Sequence, residues 1–454
     1  MDSYGLLLEK VLYPVWEQSV RKRNTFDRLA FLRSTERKSL DELQALQSGA
    51  LRRLIEHAYR EVPFYRARLD AAAIVPSDIR TLFDLPRIPI LTREEARATP
   101  EERQSPFVHR ATISKTTGGT TGQPLLFAYD ENSEHWRQAV KLRSYGWAGY
   151  RLGARTFHYW GAPTRPLPPL TRRFKIATDR FLKREHYMDC TARSDQDLRA
   201  AARAIERGKP RTILCYTQAG ADLARFIVAN DLRRWDSIAV LCCAEALYAA
   251  DREALSAAFG EEVFETYGCR EVMLVGSECE AHDGLHTSME NLIVEVLVKD
   301  GEGERPAEPG ESGDVVLTDL HNYGMPFIRY KNGDVAVMGK SDRCSCGRTL
   351  LRLARVDGRS ADTLRDAKGG RVSGLVFNLI FSVLAESVRQ FQAVQHKDGS
   401  ITLKLIPSST ITDVVRNHIA KNCEKYLPGV PIRTEIVEEI PTSPSGKRQV
   451  VMVE

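Results

Sequence analysis

A chain of 454 residues is long enough for about three domains of ordinary size. Its 65 basic and 60 acidic residues leave a net charge of only +5, too small a surplus to argue for nucleic acid, and its apolar and charged fractions are those of an ordinary soluble protein. No apolar run approaches the roughly 20 residues that span a bilayer. The N-terminus, with Asp2 and Glu9, has no signal-peptide pattern, so a cytoplasmic location is expected. Nine cysteines, an odd number in so long a chain, do not make a disulfide scaffold and are expected as reduced thiols or metal ligands.

Ser39 and Glu42 have capping-box spacing and start a helix. Leu43, Leu46, Leu51, Leu54, Ile55 and Ala58 then recur at helical spacing and give it one apolar face. Further on, Thr116-Thr-Gly-Gly-Thr-Thr-Gly-Gln-Pro124 packs three glycines and four threonines into one loop. Glycine lets backbone N–H groups approach a ligand closely, and successive N–H groups form a concavity that attracts anions. The natural ligand is a polyphosphate, with a flexible surface turn as the alternative. The loop is not the common P-loop, because Gln123 and Pro124 follow its last glycine where that motif has lysine and serine or threonine. The basic run Arg165, Arg172, Arg173, Lys175, Arg180, Lys183 and Arg184 reads as a solvated face or a docking site for an anionic partner.

Short apolar runs at 213–216 and 238–242 alternate with helical stretches at 200–205 and 219–228, the rhythm of a parallel sheet covered by helices. Over 292–298 and 314–318 the runs shorten and the helices disappear, which predicts an antiparallel or β-barrel-like part. After Asp362 a strand over 401–406, a helix over 412–426 and a strand over 432–437 predict a small α+β domain. The fold expected is α/β: a large multi-subdomain body over 1–358 and a small C-terminal domain over 359–454.

The Gly/Thr loop at 116–124 resembles the phosphate-binding loop of the adenylate-forming enzymes, the superfamily of acyl-CoA synthetases and adenylation domains. Four further motifs of that family follow in the family's order. Tyr267-Gly-Cys-Arg-Glu271 resembles its Tyr-Gly-x-Thr-Glu motif, and Arg329-Tyr-Lys-Asn-Gly-Asp334 its Tyr-Arg-Thr-Gly-Asp motif. Gly358-Arg-Ser-Ala-Asp362 resembles its Gly-Arg-x-x-Asp junction, and Pro441-Thr-Ser-Pro-Ser-Gly-Lys447 its C-terminal Pro-x-x-x-x-Gly-Lys motif. Residues 51–66 and 84–93 are similar to the opening of phenylacetate–coenzyme A ligases and their capsule-biosynthesis-like relatives.

The resemblance implies ATP-dependent activation of a small-molecule carboxylic acid, with Mg²⁺, and a mobile C-terminal lid. Thr116, Thr117, Gly118, Gly119, Thr120, Thr121 and Gly122 would hold the β- and γ-phosphates. Glu271 would bind Mg²⁺, which typically takes one or two carboxylates plus substrate phosphates. Tyr267 and Gly268 would lie at the adenine, Asp334 would accept hydrogen bonds from the ribose hydroxyls, and Arg359 would add a ribose or phosphate contact. Lys447 would bring positive charge to the carboxylate and α-phosphate during adenylation. Ala244-Glu245 resembles the family's Gly-Ala-Glu segment, and His158, Trp160 and Glu245 are candidates to line the acyl site. Arg270 stands where the family has threonine or serine; it would either pair with Glu271 or contact phosphate or substrate directly. Gln123 stands where the family often has lysine.

Cys344 and Cys346, on a turn closed by Gly347, together with Cys279 and one of His282 or His286, would make a tetrahedral, structural zinc site. The acyl acceptor implied is the thiol of coenzyme A, whose phosphates could use the basic run; a carrier-protein thiol or an amine is the alternative. The first substrate class is an aryl or arylacetic acid. A catalytically weak nucleotide-binding module is the second reading, favoured by Arg270 and Gln123. A homodimer is the oligomer considered, with no membrane span and no nucleic acid.

Overall fold

A computed structural model describes residues 2–106, 112–116, 125–161, 170–301, 303–359, 363–367, 371–373, 375–382, 384, 387–440 and 450–454. The predicted N-terminal helix runs Leu40–Glu61, and its capping box is formed: the Ser39 N–H donates to Glu42 Oε2 at 2.9 Å and the Glu42 N–H to Ser39 Oγ at 3.3 Å. Leu51, Leu54, Ile55 and Ala58 of its apolar face are buried against Tyr65, Leu69, Ile79 and Leu85. Leu46, expected on the same face, is exposed at its edge.

Strands β1 (Ile113–Thr116) and β2 (Leu126–Tyr129) form a small antiparallel pair around the Gly/Thr loop. The main sheet has twelve strands among the described residues. Its first half is parallel: β3 (Thr156–Trp160), β4 (Glu185–Asp189), β5 (Thr212–Tyr216), β6 (Ala239–Cys243) and β7 (Val263–Cys269). Helices Asp195–Gly208, Thr217–Ala229 and Ala249–Phe259 cover it, and Ile213, Cys215, Val240 and Cys242 of the predicted strands meet Ile205, Leu223 and Leu255 in one core.

At β7 the sheet changes hand. It continues antiparallel through β8 (Met273–Glu278), β9 (Leu285–Thr287), β10 (Leu292–Asp300), β11 (Gly303–Pro306), β12 (Ser312–Asp319), β13 (Tyr330–Met338) and β14 (Arg352–Arg359). The helix-free region is thus antiparallel as expected, and it extends the parallel sheet in one continuous ladder. β7 is parallel to β6 on one side and antiparallel to β8 on the other. The carboxyl ends of parallel strands beside such a change of order are where α/β sheets place ligands.

Beyond β14 come the hairpin of β15 (Thr363–Arg365) and β16 (Arg371–Ser373), then a separate four-stranded sheet. That sheet has the order β19 (Ile432–Ile436), β18 (Ile401–Pro407), β17 (Val388–Gln395), β20 (Val451–Val453). Helix Asp413–Tyr426, capped by Thr412, packs Val415, Ile419 and Cys423 against Leu403 and Leu405. This is the small α+β unit expected at the C-terminus. No helix among the described residues is long and apolar enough to cross a membrane.

Candidate functional site

The carboxyl end of β7 carries Tyr267 and Gly268. Tyr267 is buried, and its hydroxyl donates to Asp334 Oδ2 at 2.8 Å. The Asn332 amide donates to Tyr267 Oη at 2.9 Å and to Asp334 Oδ2 at 2.6 Å. Asp334 in turn donates its N–H to Asn332 Oδ1 at 3.0 Å, closing a tight turn on Gly333 at φ 84°. The chain can take that φ there because glycine has no Cβ. Asp334 lies directly opposite Arg359 in the β13–β14 ladder, so the two expected ribose contacts come from neighbouring strands.

At Gly268 the ladder slips by one residue, and a Cβ would stand 2.0 Å from the Met273 carbonyl oxygen. Only glycine allows that approach, which turns the chain sharply into Arg270 and Glu271. Glu271 is buried; its Oε1 accepts from Arg93 Nη1 at 3.2 Å and from Tyr330 Oη at 3.2 Å. Arg137 donates to the Glu271 carbonyl at 2.5 Å and to Asp319 at 3.1 Å. Arg270 points the other way: its Nη1 donates to the Thr116 carbonyl at 2.8 Å. The turn is thereby tied to the end of β1, where the Gly/Thr loop begins. Residues 117–122 of that loop, with Gln123, Asp362, Lys447 and the Arg359 side chain, lie outside the described residues.

Glu245 follows β6 and accepts the Gln218 N–H at 3.1 Å, while its own carbonyl accepts from Thr217 at 2.8 Å. Arg270 and Glu245 both act on the Tyr216 phenol, whose pKa is raised chiefly by burial. Tyr216 meets Trp160 edge-on with ring centres 4.7 Å apart. Trp160 is therefore joined through Tyr216 to the Glu245–Arg270 end of the site. His158 shares a face of β3 with Trp160 but stacks on Tyr187 at 4.0 Å. Burial, then the charges of Lys141 and Arg180, push it down to about 3, so it is a neutral packing residue at ordinary pH.

Arg93, Tyr330 and Asn332 are site residues that motif reading passed over. Tyr330 and Asn332 lie inside the Arg329–Asp334 motif, and Arg93 ends the 84–93 segment, so each had a local signal. Arg329, the first residue of that motif, faces into the body; it pairs with Glu295 at 3.0 Å and donates to the carbonyls of Pro86 and Ile88.

The cysteine–histidine set is brought together. The donor atoms of Cys279, His286, Cys344 and Cys346 all lie within 4.8 Å of one another. Cys279 Sγ is 3.8 Å from Cys344 Sγ, and Cys346 Sγ is 3.5 Å from His286 Nε2. Zinc bonds of about 2.3 Å to sulfur and 2.0–2.1 Å to nitrogen, at tetrahedral angles, give edges of about 3.8 and 3.6 Å. The donor set therefore fits zinc. Pairing of β9 with β14 places His286, and its Nδ1 meets the Leu350 carbonyl at 3.2 Å, leaving Nε2 toward Cys346. The N–H groups of Ala281 and Arg348 donate to Cys279 and Cys346 at 3.4 and 3.5 Å. His282 is not in the set and sits 3.5 Å from Glu278 instead.

Residues 364–454 match the CapK C-terminal domain family. A phenylacetate–coenzyme A ligase of Thermus thermophilus is 28% identical over 389 residues, which are 80% of this chain and 80% of that protein. The chain is similar over most of its length to proteins named phenylacetate–coenzyme A ligase. The Escherichia coli protein of that name is 29% identical, covering 72% of this chain and 74% of its own length. The chain shares a fold with a solved 2-hydroxyisobutyryl-CoA ligase, captured in its postadenylation state in complex with R3-HIB-AMP. That structure superposes on 92% of this chain and 91% of its own with a TM-score of 0.74 at 18% identity.

Proposed function

We propose that the chain joins a carboxylic acid to the α-phosphate of ATP, releasing pyrophosphate, and then passes the acyl group from AMP to the thiol of coenzyme A. One observation carries this reading: motif residues far apart in sequence converge at the β7 end, with Arg270 on Thr116, Glu271 beside Arg93 and Tyr330, and Tyr267 on Asp334 opposite Arg359. The relatives are named for phenylacetate, which makes an aryl or arylacetic acid the first substrate class.

In this reading Glu271 binds Mg²⁺ together with the nucleotide phosphates, Asp334 and Arg359 hold the ribose, and Arg270 steadies the phosphate loop. Lys447, on a lid spanning 359–454, supplies charge to adenylation. Zinc held by Cys279, His286, Cys344 and Cys346 is structural and takes no part in the chemistry. Such a set needs reduced thiols, which favours the cytoplasm. The second reading, a nucleotide-binding module, is favoured by Arg270, whose guanidinium occupies the Thr116 carbonyl where a smaller residue would leave it to the loop.

The deciding experiment is ATP–pyrophosphate exchange across aryl, arylacetic, fatty and amino acids, followed by product analysis with coenzyme A, a carrier-protein thiol or an amine as acceptor. Acid-dependent exchange with an arylacetic acid and a coenzyme A thioester product are expected. ATP binding without acid-dependent exchange would leave the binding module as the reading.

A further inference from the structure

Two neighbouring helical segments wear their apolar residues on the outside. Residues 3–20 and the helix Leu170–Lys183 together hold twelve of the twenty-three exposed large hydrophobic side chains among the described residues. On Leu170–Lys183, Leu170, Phe174 and Phe181 fall on one helical face and are 76%, 76% and 81% exposed. On 3–20, Leu7, Val11 and Val15 form one exposed row at helical spacing, and Leu12, Trp16 and Val20 form another.

A few polar side chains hold the two segments together. Tyr4 Oη donates to the Leu182 carbonyl at 2.7 Å, Arg184 lies 4.2 Å over the Tyr4 ring, and Lys183 lies 4.9 Å over Tyr13. Glu17 is buried against Arg21 and Arg23. Ordinary surface helices turn their apolar residues toward the core instead. The outer face also carries one sign of charge. Each acidic residue of the two segments is paired: Asp2 with Arg184, Glu9 with Arg151, Glu17 with Arg21, and Asp179 with Lys183. Lys10, Arg173 and Lys175 remain exposed among the apolar residues.

We propose that this face docks on an anionic lipid bilayer. Phenylalanine, leucine and tryptophan flanked by lysine and arginine on a helix lying flat is the pattern of segments that enter the headgroup–acyl boundary without spanning it. A second copy of the chain fits less well, because a two-fold contact would bring a surface of one charge sign against itself. The docked enzyme keeps its β7 site on a different part of the sheet and acts from the membrane surface.

The test uses the full chain with phosphatidylcholine vesicles, with and without phosphatidylglycerol, in a flotation assay. Binding to the anionic vesicles that weakens with salt is expected. Phe174→Ser combined with Phe181→Ser should reduce partitioning by about a hundred-fold, since each buried phenylalanine contributes about ten-fold or more. Arg173→Ser and Lys175→Ser should each reduce it by about five-fold. The substituted side chains are exposed, so melting temperature should not move. Absence of vesicle binding, or binding indifferent to the phenylalanine substitutions, overturns the proposal. So does a dimer in sedimentation equilibrium that the same substitutions dissolve, which would assign the face to a contact between copies.

Discussion

Replacing Cys344 and Cys346 together by serine removes two of the four donors of the proposed zinc site, which would hold Cys279 after β8 and His286 in β9 to the β13–β14 connection. A ligand that binds only the folded state, present at about a thousand times its dissociation constant, adds about 4 kcal/mol of stability. A change of 1 kcal/mol moves the melting point by about 2–4 °C in a unit of 150–250 residues, and by less in a larger one. The body that holds the site is larger, so a fall of roughly 5–8 °C is expected. Elemental analysis of protein purified without chelator should find about one zinc per chain, and a thiol-specific mercurial should release it to a chromogenic chelator. ATP–pyrophosphate exchange at a temperature where the variant stays folded should change much less than its melting, because none of the four donors contacts Tyr267, Glu271 or Asp334. Active protein that contains no zinc refutes the reasoning, and so does a double variant with unchanged melting.

Asp334→Ala should weaken ATP binding by about 1.5–3 kcal/mol, the usual worth of hydrogen bonds to a charged acceptor, as read by titration calorimetry; Tyr267→Phe removes only a protein donor from that carboxylate and should change affinity far less. Arg93→Ala leaves Glu271 as a buried carboxylate without its guanidinium, which typically costs about 3–5 kcal/mol in denaturant unfolding; adding Glu271→Gln should restore part of the loss, and a full-sized loss in the double variant would show the pair to be incidental. His158 is held below its unfolded value by burial, so its contribution to stability is complete above about pH 6.5 and is lost as the pH falls toward 3. His158→Gln should flatten the fall in melting temperature between pH 6.5 and 4, and an unaltered slope would assign the acid sensitivity to other groups. Lys447→Ala should slow adenylation by about 10²–10³ while leaving thioester formation from pre-formed acyl-adenylate nearly normal; equal losses in both half-reactions would make the lysine structural.

Local chemistry explains which parts of this molecule were legible in the sequence. The capping box at Ser39 and Glu42 involves groups three residues apart, and it formed as read; the helix over 412–426 also formed, with Thr412 as its cap. The strands at 213–216 and 238–242 are apolar on both faces because helices cover the sheet, so composition alone marked them. The choice between His282 and His286 depended on the pairing of β9 with β14, a contact between residues 66 apart in number that no local pattern encodes. Leu46 kept helical spacing yet lies outside the packed stripe, since periodicity gives a face and its neighbours decide how wide that face is. The same limit hid the exposed apolar rows of residues 3–20: a helical pattern states which residues share a face, and only the packing of the chain shows which face is left uncovered.

The two arginines near Glu271 divide work that the sequence offered to one. Arg270 is adjacent in the chain and pairing with Glu271 was one of its two expected roles, but the tight turn that Gly268 permits sends it toward Thr116. Arg93, 178 positions away, takes the carboxylate instead. A guanidinium stays protonated at any working pH, so the charge of Glu271 is already matched before nucleotide arrives. A divalent cation added to that arrangement alone would face an uncompensated excess of positive charge in a buried place. In the proposed function the phosphates of ATP reverse that balance, so the carboxylate would serve Mg²⁺ with nucleotide present and would have little to offer it without. On that reading the Arg93–Glu271 pair would couple metal affinity to nucleotide binding through charge alone.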